Sequence, residues 1–299
     1  MNVLITGGTG LVGKVLTKLL QEKNYTVSYL SRSKQSGSIK TYHWDIEKKQ
    51  IDIEAISQTD YIVHLAGAGV ADKRWTDSYK KEIIDSRVVS TQLLAEAIEK
   101  SSKKPKAFVS ASAVGFYGFD TKDILLTENS PKGDGFLAEV TEKWEKSIEA
   151  ISNLGIRTAI MRIGIVLAKE GGALAKIMQP IQFFAGSALG SGKQYMSWIH
   201  IKDMARMLVY AFENENIQDI YNAVGNKPVT NEDFTKAIAK TMGKPLFLPN
   251  VPSFALNLLL GEMASMVVGG NNVSNEKIVK AGFEYEFATL ESALKDLIR

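Results

Sequence analysis

The chain begins with an apolar strand, Val3-Leu4-Ile5, that runs through Thr6 into Gly7-Gly8-Thr9-Gly10-Leu11-Val12-Gly13 and directly into a helical pattern. Glycines at this spacing fix the backbone more tightly than any other stretch. Gly7 permits a tight turn, Gly10 lets the main chain approach a bound group, and Gly13 lets the helix lie against the strand. Val12, Val15, Leu16, Leu19 and Leu20 then repeat at helical spacing, so the turn opens onto a helix N-terminus. Unpaired N–H groups and the positive end of the helix dipole stabilise an anion there without a basic side chain. The turn, with Thr9, Leu11 and Val12, reads as a cradle for the pyrophosphate of a dinucleotide.

Further along, strand-like runs at 27–30, 41–44, 61–65, 108–111 and 158–162 alternate with helical stretches at 78–99 and 135–151. Such alternation predicts right-handed parallel βαβ units and an α/β fold, a Rossmann-like doubly wound parallel sheet with its ligand across the carboxyl ends of the strands. From about Gly225 the character changes. Pro228, Pro245, Pro249 and Pro252 fall in one stretch, followed by helical patterns at 254–261 and 290–298. The chain is therefore divided into a nucleotide-binding region, 1–224, in which 163–200 contributes to a substrate lobe, and a smaller C-terminal lobe, 225–299. The Lys-rich connection 100–106 reads as a solvated loop.

Composition excludes several function classes. A net charge of +3 in 299 residues is no footprint for nucleic acid or an anionic membrane surface. The absence of cysteine excludes disulfides and thiolate chemistry and fits a reducing compartment, so a cytoplasmic location is expected. His43, His64 and His200 lack metal-ligand spacing; each is expected to be packed or hydrogen-bonded, and no metal is expected. No signal peptide precedes the first strand, and the longest apolar stretch, 256–270, is interrupted by Asn257 and Glu262. The expected partner is a small molecule, and nothing sets an oligomeric state.

The end of the second strand selects the dinucleotide. An NAD site carries Asp or Glu there to accept from the ribose 2′-hydroxyl. This chain has Ser31-Arg32-Ser33-Lys34. A guanidinium pairs with a 2′-phosphate through charge-assisted bonds of about 1.5–3 kcal/mol each, which is roughly tenfold to more than a hundredfold in affinity. NADP(H) is therefore the expected cofactor, with the hydroxyls of Ser31 and Ser33 as further donors. Asp45, followed by Ile46 at the end of the third strand, can accept from the adenine amino group or cap the segment that follows.

The glycine turn, Trp44-Asp45, His64-Leu65-Ala66-Gly67 and Ser110-Ala111-Ser112 together resemble an extended short-chain dehydrogenase/reductase of the NAD-dependent epimerase/dehydratase superfamily. Ala71-Asp72-Lys73-Arg74-Trp75, Arg162-Ile163-Gly164-Ile165-Val166-Leu167, Gly190-Ser191-Gly192-Lys193-Gln194 and Ser197-Trp198-Ile199-His200 are similar to its nucleoside-diphosphate-sugar epimerase-like subgroup. Val251-Pro252, Gly261-Glu262-Met263 and Ala281-Gly282-Phe283 resemble the C-terminal domain of unknown function that follows there. The resemblance implies that Ile46, Leu65, Ala66, Gly67 and Arg87 join the cofactor site.

The resemblance also implies a mechanism: Ser or Thr holds the substrate oxygen, Tyr acts as acid/base, and Lys four residues on lowers the Tyr pKa. Ser112 matches the first role. None of the ten tyrosines has lysine four positions later, and the aligned helix places Phe136 and Val140 at that spacing. These two continue with Trp144, Ile148 and Ile151 as an apolar stripe that reads as core. A positioned acid/base contributes about 10²–10⁴-fold, so the replacement matters. Tyr117 is the candidate acid, with Glu139 and Glu142 as further candidates. Arg74, Trp75, Gln194, Trp198 and His200 are candidates for substrate contact, through an anion pair or ring stacking, or alternatively for packing between the lobes. Two function classes follow: an NADP(H)-dependent epimerase or oxidoreductase acting on a small polar, nucleotide-sugar-like substrate, and a non-catalytic NADP(H)-binding redox sensor or regulator.

Overall fold

A computed structural model describes residues 1–33 and 37–299. Its strands are β1 (Asn2–Thr6), β2 (Thr26–Ser31), β3 (Lys40–Asp45), β4 (Gln50–Ile51), β5 (Tyr61–His64), β6 (Ala107–Ala113), β7 (Asp120–Leu126), β8 (Arg157–Ile163), β9 (Ile165–Leu167), β10 (Tyr195–Met196), β11 (Trp198–His200), β12 (Asp219–Ala223), β13 (Val229–Thr230) and β14 (Gly270–Val273). The helices that matter here are α1 (Leu11–Glu22), α2 (Glu54–Ser57), α3 (Asp77–Lys100), α4 (Phe136–Ser152), α5 (Gly172–Gln182), α6 (Ile201–Glu213), α7 (Asn231–Met242) and α8 (Ser253–Leu260).

Val3, Leu4 and Ile5 are wholly buried because β1 lies inside an eight-stranded sheet of order β12-β8-β6-β5-β1-β2-β3-β4. Every pairing is parallel except that of the short edge strand β4 with β3. The order steps outward in both directions from the β1–β5 pair, which makes this the doubly wound α/β sheet that the alternating pattern predicts. Both faces are covered, so β5 reads as a continuous buried run. Leu16 and Leu20 of α1 pack with Met204, Leu208 and Phe212 of α6 on one face. Leu94 and Ile98 of α3 pack with Trp144, Ile148 and Ile151 of α4 on the other, which confirms most of the α4 stripe as core.

The residues after 225 bind back onto earlier ones. β13 pairs with β10 and β14 with β7. A closing helix, Leu290–Ile298, buries Leu290, Ala293, Leu294 and Leu297 in one cluster with Leu167, Trp198 and Phe234. Among the described residues no helix is long and apolar enough to cross a membrane.

Two glycines of the first turn are required by close approach. Gly7 has φ +72°, and a Cβ there would lie 2.9 Å from the carbonyl carbon of Leu65. A Cβ on Gly13 would lie 2.4 Å from the Gly7 oxygen and 2.7 Å from the Gly8 Cα, both of them main chain. Gly13→Ala is therefore expected to push α1 off the turn and cost about 1–3 kcal/mol. A urea unfolding midpoint unchanged from the parent would contradict that contact.

Candidate functional site

The reversal of strand order between β1 and β5 opens a crevice at the carboxyl ends of the strands, and a cleft of about 1080 Å³ lies there. It gathers most of the expected cofactor residues. Gly7, Thr9 and Gly10 form its floor, Ser31, Arg32 and Ser33 its β2 side, Asp45 and Ile46 its β3 side, and Leu65, Ala66 and Gly67 its β5 side. Leu11, Val12 and Gly13 stand behind the floor, and Lys34 lies outside the described residues. The first turn of α1 carries no acidic side chain, so its positive end is not neutralised from within. The floor is bare main chain, as a pyrophosphate cradle requires.

Two of its supports escape a glycine-spacing argument. A Cβ on Gly8 would stand 2.2 Å from the Tyr29 ring, whose hydroxyl bonds Thr17 Oγ1 at 2.7 Å. Tyr29 thereby wedges the turn from β2. Thr6 Oγ1 accepts from the N–H groups of Leu65 and Ala66, both at 3.1 Å, and lies 2.7 Å from His64 Nδ1. With two acceptor positions filled, Thr6 donates to His64, which is then the Nε2–H tautomer and faces Ser90 Oγ at 3.2 Å. Burial, with the Arg87 charge as a smaller cause, holds the His64 pKa down to about 3. Asp45 lines the cleft and also accepts from the Lys48 N–H at 3.0 Å, the bond that chiefly holds its carboxyl below the usual range. Arg87 does not line the wall; it lies beneath Gly67, with Nη1 on the Ala68 and Ile83 carbonyls.

The expected catalytic residues meet in a different arrangement. Ser112, Arg162 and Asn222 sit side by side at one register on β6, β8 and β12. All three are buried. Ser112 donates to Glu145 Oε1 at 2.6 Å, and Glu145 of α4 takes a two-pronged ion pair from Arg162, with Nε and Nη2 each at 2.8 Å. Tyr117 donates to Asn222 Oδ1 at 2.7 Å and accepts from Arg162 Nη1 at 3.1 Å, and burial raises its pKa. Ser112 and Tyr117 are thus joined through Arg162 and Glu145, and neither lines the cleft. Sequence reasoning missed this ion pair, whose partners lie on a helix and a strand with no local pattern between them.

The positions expected to hold Tyr and Lys are filled by carbon. The Phe136 ring packs edge-on against Trp75 with centroids 4.9 Å apart, and Val140 packs with Tyr79 and Ile83. Glu142 is paired with Lys132 and Lys146 at 3.0 Å each, and Glu139 is exposed.

The five substrate candidates do not converge on the cleft. Trp75 donates from Nε1 to the Val70 carbonyl, and Arg74 reaches the Leu259 carbonyl at 3.4 Å. Gln194 donates to Leu189 and Val267 carbonyls, and Trp198 to the Lys227 carbonyl. His200 is stacked on Phe287, accepts from the Lys202 N–H, and points Nε2 at Asp296, 3.3 Å away. Burial holds its pKa near 4, against the opposing pull of Asp296. Gln194, Trp198 and His200 join separate parts of the chain, because segments after 226 cover them, and this burial favours packing, the second of their two expected roles. Among the described residues no cluster of His, Asp or Glu is placed to hold a metal ion.

Comparison with known proteins gives consistent matches. The model of the NAD dependent epimerase/dehydratase family matches residues 3–137, and that of a domain of unknown function, DUF1731, matches residues 251–297. The epimerase family protein YfhF of Bacillus subtilis is 36% identical over 300 residues, covering 100% of this chain and 98% of its own. Human epimerase family protein SDR39U1, solved with NADPH, is 32% identical with a TM-score of 0.88, and 99% of each chain is covered. A nucleoside-diphosphate sugar epimerase of Corynebacterium glutamicum is also 32% identical, with a TM-score of 0.82, covering 100% of this chain and 58% of that one.

Two outcomes follow for stability. Glu145→Leu strands a buried guanidinium and is expected to cost about 3–5 kcal/mol, much of it recovered when Arg162→Met is added; urea titration that finds the double variant no better than the single would refute this. Each buried histidine binds its proton near pH 6.5 when unfolded but only near 3 or 4 when folded. The stability they contribute is present above pH 6.5 and falls as the solution is acidified, by about 2 kcal/mol each at pH 5. His200→Asn should flatten the profile between pH 7 and 5, and an equally steep profile would remove His200 as a cause.

Proposed function

The chain belongs to the NAD-dependent epimerase/dehydratase family and is an NAD(P)-binding protein, and from that premise we propose that its cofactor is NADP(H), held with the 2′-phosphate on Arg32. The observation that carries this is Arg32 on the cleft wall at the end of β2, between Ser31 and Ser33, where an NAD site presents a carboxylate. The human relative solved with NADPH supports the same reading. Bare main chain at Gly7 and Gly10 receives the diphosphate, Asp45 faces the adenine end, and Leu65-Ala66-Gly67 forms the opposite wall.

Bound NADP(H) supplies a hydride donor or acceptor at the nicotinamide. The residues that would move the accompanying proton are rearranged here. Phe136 and Val140 offer no proton, and the Ser112 hydroxyl is engaged by Glu145. The geometry therefore favours a protein that binds the dinucleotide without the Tyr/Lys dyad, as a redox-state sensor or regulator. Epimerase or oxidoreductase activity on a small polar, nucleotide-sugar-like substrate is the second reading. Its support is Ser112 at the end of β6 and the epimerase name of the Corynebacterium relative.

Titration with NADPH and NADH tests the cofactor. Arg32→Ala should weaken NADPH by tenfold or more, to beyond a hundredfold if both charge-assisted bonds are lost, and leave NADH within about threefold. An unchanged preference would remove Arg32 from the site. NADPH oxidation across carbonyl compounds and nucleotide sugars separates the two readings. The sensor reading expects none, and turnover that falls in Ser112→Ala would establish the second.

A further inference from the structure

The carboxyl edge of the sheet changes character along its length. On the β1–β3 half the cleft presents Thr9, Ser31, Arg32, Ser33 and Asp45. On the β5–β6–β8 half the half-buried side chains at the strand ends are carbon. Leu65 and Ala66 follow β5, and Ala113 and Ile163 face each other at the last register of β6 and β8. One residue earlier, Ser112 and Arg162 are sealed underneath, 3% and 2% exposed, and both are bonded to Glu145. Phe136 and Leu137 open α4 against this edge, where a Cβ on Gly115, just past β6, would lie 3.2 Å from Leu137 Cβ. The Trp75 ring closes on Phe136 with centroids 4.9 Å apart, and Val70 packs in the same cluster. Ala68 and Tyr79 belong at once to this cluster and to the cleft wall, so the apolar surface is continuous with the cleft.

The polar groups around this surface are already used. Trp75 Nε1 donates to the Val70 carbonyl and the Tyr79 hydroxyl to the Gly69 carbonyl, which leaves ring carbon as what these side chains offer. Lys73 pairs with Glu82 and Lys80 with Glu262, while Arg74 reaches the Leu259 carbonyl. Asp72, on the same loop and in the cleft wall, has no cation paired with it among the described residues. A nucleotide sugar brings a second diphosphate and several hydroxyls. Here the diphosphate would meet a carboxylate, and the hydroxyls would lose water against carbon without gaining a partner. An uncharged ring escapes both costs and gains contact with the rings of Trp75 and Phe136. We propose that the part of the cleft beyond the dinucleotide takes an uncharged aromatic molecule in place of a nucleotide sugar. This rests on the reading that NADP(H) occupies the cleft, and it holds for either function, as the molecule sensed or as the substrate.

The uncharged fluorescent probe N-phenyl-1-naphthylamine tests this on protein kept saturated with NADP⁺, so that it reports only the space the dinucleotide leaves. The parent is expected to bind one probe per chain, and UDP-glucose is expected neither to bind, by calorimetry, nor to displace the probe. Phe136→Asn should weaken the probe about tenfold or more. Phe136→Leu, which keeps an apolar side chain and decides the matter where the asparagine variant fails to fold, should weaken it about threefold or more. Phe254→Ser is the control for adsorption to exposed carbon, since that ring is 75% exposed on α8, and it should leave probe binding unchanged. Absence of saturable binding, equal affinity in the parent and the Phe136 variants, or a loss in Phe254→Ser alone overturns the proposal. So does UDP-glucose that binds the NADP⁺-loaded protein or displaces the probe. Failure of the parent protein to bind either dinucleotide sinks the proposed function instead, and the same titration on the apo protein and its Phe136 variants then decides the aromatic site alone.

Discussion

The contact on which the site depends is the approach of the Gly7 main chain to Leu65 and Ala66, so close that a Cβ at Gly7 would lie 2.9 Å from a carbonyl carbon. Two strands running in the same direction end there side by side, and the chain leaves them toward opposite faces of the sheet, which is why a crevice exists at all. Thr6 ties the two exits together by accepting from both Leu65 and Ala66. His64 completes the tie, and its neutral form is needed for that, since a proton on Nδ1 would compete with the Thr6 hydroxyl. Dinucleotide shape is therefore set by packing inside the sheet before any ligand-facing side chain is considered.

The opposite end of the sheet shows what happens when the same framework is used differently. Helix α4 approaches β6 and β8 where an acid/base pair would stand, and it brings Phe136 and Val140 into an apolar cluster with Trp75, Tyr79 and Ile83. Further along the helix, Glu145 meets Arg162 and accepts a hydrogen bond from the Ser112 hydroxyl. A buried guanidinium and carboxylate with two matched bonds need each other more than they need solvent, so the helix is locked in register by that pair. Ser112 is thereby a strut between strand and helix as well as a candidate contact for substrate.

Fold was legible from the sequence because its signals are local. Runs at 27–30, 61–65 and 158–162 fall within or at the edges of β2, β5 and β8, and the α4 stripe from Val140 to Ile151 is buried as its period implies. The cleft-lining residues were legible because they lie at strand ends, where the glycine turn and the end of the second strand point to Gly7, Gly10 and 31–33, and the family resemblance to Ile46 and 65–67. Gln194, Trp198 and His200 were not. Their partners, Val267, Lys227, Phe287 and Asp296, come from the last quarter of the chain, and no spacing announces that these segments fold back over 194–200. Tyr29 and Thr6 were hidden for a different reason. A tyrosine or threonine on a buried strand reads as core, and only the position of Gly8 and the Leu65 N–H reveals a second task.

The cleft's electrostatics follow from pairing rather than from the count of charges. Carboxylates in its wall outnumber arginines, and a simple tally would make it hostile to a ligand rich in phosphate. Glu82, however, pairs with Lys73 at 3.6 Å, Asp85 with Lys81, and Asp45 with Lys48 at 3.4 Å, so each of these acids is answered locally by a lysine. At separations of this kind a pair presents a dipole whose field decays within a few ångströms in water and salt. Glu47 and Asp72 also line the cleft and have no cation paired with them among the described residues, so the positive features, Arg32 on the rim, the open N-terminus of α1 on the floor and Arg87 beneath the β5 loop, stand beside two unanswered carboxylates. Positive features spaced across β2, β1 and β5, rather than gathered in one basic patch, are what the proposed binding of NADP(H) along the cleft would draw on.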